Sequence, residues 1–176
     1  IMSMMLGSVV SSTDAASVFS ILKQKKLDLK ENTSSLLALE SGSNDPASYM
    51  LTVLVLTLMS SEGGLAQLPL LIVTQLVFAL LFSVLFALVT IFVLKTFRFA
   101  ADGFDTIFVL VMAVAAYALP ALLNGNGYLS VYIFGIILGN SNIKNKVTLV
   151  HFFDGITGLA QIVIFFLLGL LVTPSN

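Results

Sequence analysis

Residues 37–51 read LALESGSNDPASYML, and an acid pair, an amide and three serines stand there inside an otherwise apolar run. A second stretch, SSTDAASVFS at residues 11–20, repeats the pattern with Asp14 and five hydroxyls. The sequence around both is built for lipid. The 176 residues are 58% hydrophobic and 10% charged, where soluble domains carry roughly 25% charged residues. Mean hydropathy is +1.06. The chain therefore reads as an all-α membrane protein, because helices satisfy their own backbone groups where water is absent.

Six segments are long enough, or nearly so, for the roughly 20 apolar residues that a bilayer core requires. They are residues 1–22, 34–59, 68–94, 106–123, 127–142 and 150–172. All eight basic residues fall in alternate connectors: Lys23, Lys25, Lys26 and Lys30, then Lys95 and Arg98, then Lys144 and Lys146. The positive-inside rule puts those connectors in the cytoplasm and SSEGGLAQ and NGNG outside. The four tyrosines, Tyr49, Tyr117, Tyr128 and Tyr132, are the candidates for an interfacial belt, since the chain has no tryptophan. The chain opens at Ile1 inside an apolar run and stops at VTPSN, which reads as an internal piece of a longer protein.

Composition narrows the chemistry. With no cysteine and one histidine, thiolate and histidine metal sites are excluded, and no cofactor is expected. The basic residues form no continuous face, so no nucleic-acid partner is expected. What remains is the acids. A charge at the bilayer centre costs roughly 2.5–3.5 kcal/mol on insertion scales, which makes Asp14, Glu40 and Asp45 functional candidates.

On a helix, Ser41 and Asp45 share a face and Asn44 stands beside them. Hydroxyl, amide and carboxylate oxygens are hard ligands suited to Na⁺ or K⁺ and, by the same logic, to Ca²⁺ or Mg²⁺. Glu40 lies about 140° around the helix from Asp45 and serves another purpose. Pro46 cannot donate to the carbonyl of Gly42 and frees a backbone oxygen near the site. GSVVSSTDAAS is a weak helix interior, and a discontinuous helix is expected at residues 7–14, with Thr13 and Asp14 at the break and a polar cavity at midplane. Asp45 can hold a proton or a metal cation, but not both favourably. Competition for one carboxylate is a sufficient mechanism for antiport.

At these residues the chain resembles a known family. SSTDAASVF followed by LESGSNDPAS resembles the TD and ND motifs of NhaP-type monovalent cation:proton antiporters. FFDGITGLAQIVIFFLLGLLVTPS, residues 152–175, resembles the bacterial potassium/proton antiporter branch often called CvrA. The resemblance implies two inverted repeats with broken helices crossing at midplane, a homodimer, and the inner membrane as location. It implies that Asp45 takes the transported K⁺ or Na⁺ and H⁺ in turn, with Ser41 and Thr13 as further ligands of the monovalent cation. It places Asn44 and Asp14 close by, and pairs Glu40 structurally with an arginine on a later helix that this chain lacks.

Two rival functions are a passive cation channel and, further off, an intramembrane aspartyl protease built on Asp14 and Asp45. Gly135 and Gly139 form a GxxxG, expected to pack tightly within the bundle. Asp154 is expected at a helix N-terminus, with His151 at the headgroups.

Overall fold

The computed structural model describes residues 1–13, 33–59, 68–97 and 103–171. Every regular element among them is a helix: α1 Met2–Val10, α2 Thr33–Met59, α3 Leu68–Thr96, α4 Phe104–Leu122, α5 Gly127–Asn140 and α6 Lys146–Leu171. This is an all-α membrane protein. The helices α3, α4 and α6 are long and apolar enough to cross a membrane. At 29 residues α3 extends about 43 Å, whereas the 14 residues of α5 extend about 21 Å. The 27-residue α2 has the length of a span and carries the polar run through its centre.

Helices α3, α4 and α5 pack on one another, and this body carries everything else. Lipid is as apolar as leucine, so membrane helices associate through close packing rather than through exclusion of water. The sequence supplies that packing through small residues. Along α3, Ala79, Ser83 and Ala87 repeat every fourth position and are fully buried. Their short side chains let α3 approach its neighbours, and Val109, Ala116, Phe134 and Leu138 fill the remaining space. Helix α1 lies against α2, α2 leans on α5 and α3, and α6 meets α4.

The turn between α4 and α5 is tied to α2 and α3. Helix α4 ends in a Schellman closure, with Gly125 N–H on Pro120 O (2.8 Å) and Asn124 N–H on Ala121 O (3.3 Å). Asn124 takes the left-handed conformation that this closure requires (φ 58°) and that asparagine tolerates better than most residues. Asn126 then caps α5, accepting from Leu129 N at 3.0 Å. Its side chain reaches Pro46, the midpoint of α2, so the turn sits level with the centre of that helix rather than beyond its end.

Three further expectations are corrected. Helix α6 begins at Lys146, which puts Asp154 in its third turn and not at its N-terminus. An added Cβ at Gly135 or Gly139 would meet nothing within 4 Å. These glycines border an apolar cleft of about 370 Å³ with Val109, Phe134, Leu149 and Phe153, instead of packing tightly. Tyr49, Tyr128 and Tyr117 converge, with ring centroids 4.9 and 5.1 Å apart, and do not spread into a belt.

Candidate functional site

The end of α1 explains its hydroxyls. A helix leaves its last four carbonyls without partners, and in lipid each needs one. Helix α1 stops at Val10, and residues 12 and 13 are not helical. The carbonyl of Ser8 is taken up by Ser11 Oγ at 2.7 Å and by Ser48 Oγ of α2 at 2.6 Å. Thr52 Oγ1 donates to Ser8 Oγ at 3.2 Å and Ser8 Oγ to Met5 O at 2.9 Å. The carbonyl of Thr13 accepts from Ser41 Oγ of α2 at 2.7 Å. The hydroxyls at 11, 41 and 48 thus carry out the work that a continued helix would do.

That arrangement brings the expected ligands together. Ser12 Oγ donates to Asp45 Oδ1. Asn44 Nδ2 donates to Thr13 Oγ1 and, at 3.3 Å, to Glu40 Oε1. With its nitrogen so engaged, Asn44 Oδ1 is left buried and without a partner among the described residues. Asp45 itself is exposed in this chain, as are Ser12 and Thr13, while Ser41 and Asn44 are half-buried. The result is a set of hydroxyl, amide, carbonyl and carboxylate oxygens around one acid.

Hydrogen bonds thus join Asp45, Asn44 and Ser41 of α2 to Ser12 and Thr13 after α1. Glu40 stands one turn before Asn44 and, among the described residues, its carboxylate accepts from that amide and not from a group on Asp45. Asp14 lies outside the described residues, so the break is seen from its α1 side alone. Sequence reasoning passed over three residues. Ser12 was in view within the hydroxyl run, but nothing distinguished it from its neighbours. Asn126, at the start of α5, was not legible at all, and Tyr132 of α5 stood only among the belt candidates. Asn126 Nδ2 donates to Pro46 O at 2.9 Å and Tyr132 OH donates to Leu39 O at 3.3 Å, across 80 and 93 residues of chain.

Comparison with known proteins fits this geometry. The transmembrane family described as sodium/hydrogen exchanger matches residues 1–175. The chain belongs to that exchanger family. Among curated proteins it is 33% identical over 179 residues to the K(+)/H(+) antiporter NhaP of Alkalimonas amylolytica. It is 34% identical over 181 residues to the K(+)/H(+) antiporter NhaP2 of Shewanella oneidensis, and 36% identical over 175 residues to that of Shewanella sp. strain MR-4. Each match covers 98% of this chain and 30% of the relative. The chain thus spans under a third of the length of these NhaP-type exchangers. No solved structure matches it.

Proposed function

We propose that the chain forms the ion-exchange centre of a secondary active antiporter, which exchanges a monovalent cation for protons through alternating occupancy of Asp45. The observation that carries this reading is the meeting of Asp45, Asn44 and Ser41 on α2 with the unwound Ser12 and Thr13 after α1. The cation is held by Asp45, Ser41 and Thr13, with the unpartnered Asn44 Oδ1 as a further oxygen, and Asp14 is the remaining residue assigned to the site. The mechanism follows from charge. An empty Asp45 carries a full negative charge at a cost of several kcal/mol in lipid. A bound proton or a bound cation neutralises it, and either loaded state crosses more readily than the empty one. Cation movement is thereby tied to proton movement in the opposite direction.

The names of the NhaP relatives favour K⁺, with Na⁺ as the competing ion. Glu40 is assigned a structural pairing outside this chain, since it faces away from Asp45. The working form is a homodimer in the bacterial inner membrane and needs no cofactor.

The test uses the full-length protein that carries this chain, reconstituted in liposomes with an internal pH dye. Adding K⁺ or Na⁺ drives proton movement in wild type, and Asp45→Asn abolishes it. Because proton and cation compete for one carboxylate, the apparent KM for the cation rises as pH falls, approaching tenfold per unit once the proton dominates the site. Proton movement that survives Asp45→Asn refutes the site. Cation flux without proton movement identifies a channel, and cleavage of a membrane peptide identifies a protease.

A further inference from the structure

We propose that α5 positions the ion-binding segment of α2, with Asn126 and Tyr132 as the two positioning residues. The proposal rests on the assignment of Asp45 as the exchange site. Its basis is a bracket. All four site-bearing residues of α2, Glu40, Ser41, Asn44 and Asp45, lie between two backbone carbonyls that α5 holds. Tyr132 OH takes the carbonyl of Leu39, one residue before the segment. Asn126 Nδ2 takes the carbonyl of Pro46, one residue after it.

Between these two points the helices touch. An added Cβ on Gly42 would stand 2.7 Å from Tyr132 Cε2, so the absence of a side chain there is what admits the ring. The segment is thereby fixed along its axis by two hydrogen bonds and across it by one ring. Pro46 makes such holding useful. It removes the backbone donor that would have bonded Gly42 O, which weakens α2 just where the site lies. A binding constellation keeps its affinity only when held to within about 0.5 Å, and a helix missing a rung does not hold itself that well.

Asn126 is itself immobilised from every side. It is 1% exposed, its N–H donates to Gln75 O of α3 at 3.2 Å, its carbonyl accepts from Ser130 N at 3.1 Å, and its Oδ1 caps α5. A cap needs only an acceptor, and serine or aspartate provides one as well as asparagine. The donor half of the amide, directed at Pro46 O, is the part that capping does not explain. The α3–α5 body thus ends at this point in a rigid donor aimed at the residue next to Asp45.

The variants separate the two jobs. Asn126→Ser keeps the cap but cannot reach Pro46 O, and Tyr132→Phe keeps the ring against Gly42 and drops only the hydroxyl. Both are measured in the full-length protein in liposomes, with K⁺ titrated against proton movement at several pH values. Amount and melting temperature in detergent are recorded alongside. Each variant is expected to raise the apparent KM for K⁺ about fivefold, the scale of one lost hydrogen bond, with Vmax and melting temperature close to wild type. The double variant is expected to raise it further. An unchanged KM in both single variants, or an effect confined to protein amount or Vmax, overturns the proposal. If Asn126→Ser does not accumulate, Tyr132→Phe decides the question alone by the same criterion. Asp45→Asn is run in parallel. Coupled proton movement in that variant removes the site reading itself, whereas its loss beside unchanged KM values in the α5 variants removes only the positioning role.

Discussion

Gly127→Ala tests the packing that places α5. Gly127 opens α5, and a Cβ built there stands 2.5 Å from the backbone oxygen of Tyr117 on α4 and 3.0 Å from Tyr117 Cδ2. Carbon–oxygen contacts in proteins sit at about 3.3–3.6 Å, so the new methyl intrudes by roughly 0.8 Å. The obstacle is a helix carbonyl, which cannot swing aside as a side chain can, and α4 and α5 must separate. Overpacking of this kind costs about 1–3 kcal/mol, and a backbone obstacle belongs in the upper half of that range. Separation also loosens the edge-on contact of Tyr117 with Tyr128, now at 5.1 Å, which is worth about 0.5–1.5 kcal/mol. Alanine returns about 0.5–1 kcal/mol of backbone entropy. The net expectation is a loss of about 2–3 kcal/mol, read by denaturant titration of the full-length protein in detergent, with size exclusion to follow the folded fraction. A variant within about 0.5 kcal/mol of wild type, the ordinary range of an uninvolved surface position, would refute the close α4–α5 approach. It would also remove the footing from Asn126, its neighbour.

Two further outcomes are expected. Ser12→Ala removes the hydroxyl donor on Asp45 Oδ1 and is expected to raise the apparent KM for K⁺ about fivefold, the scale of one lost hydrogen bond. An unchanged KM counts against Ser12 as part of the site. Gly135→Ala adds a methyl where nothing lies within 4 Å, and it is expected to leave stability unchanged or to raise it by about 0.5–1 kcal/mol. A clear loss of stability in the full-length protein would show instead that another surface packs on the Gly135–Gly139 face.

Much of this was open to a reader of the sequence, and the reasons are local. Spans 34–59, 68–94 and 106–123 fall within two residues of α2, α3 and α4 because lipid enforces a length and an apolar composition at once. The weak helix at residues 7–14 showed through its glycine and serines, and α1 indeed stops at Val10. The meeting of Ser41, Asn44 and Asp45 needed only the helical period. What stayed hidden depends on distance in sequence. Nothing in NGNG distinguishes an exposed turn from one recessed to the middle of α2, because both use the same left-handed asparagine and the same capping chemistry. Nor does GxxxG in α5 reveal whether its glycine face meets a helix or a cleft. The start of α6 was placed four residues late because Lys146 and its neighbours read as polar connector, though Leu149 packs into the core.

The two sides of Asp45 are built from different materials, and the difference bears on how the site works. On the α1 side the hydrogen bonds among the described residues come from hydroxyls and an amide: Ser12 to Asp45, Ser41 to Thr13 O, Asn44 to Thr13 Oγ1. A hydroxyl that gives its hydrogen to a carbonyl is still an acceptor by its chemistry, the donor type that suits a hard cation. On the α5 side the contacts end on carbonyls of α2 and come from residues fixed in a packed body. Asn126, at 1% exposure, has no slack with which to follow a moving ligand. A carboxylate that must accept a proton and a cation in turn needs partners that rearrange and a backbone that does not. The hydroxyl-rich end of α1 meets the first need, and the α5 bracket on Leu39 and Pro46 meets the second.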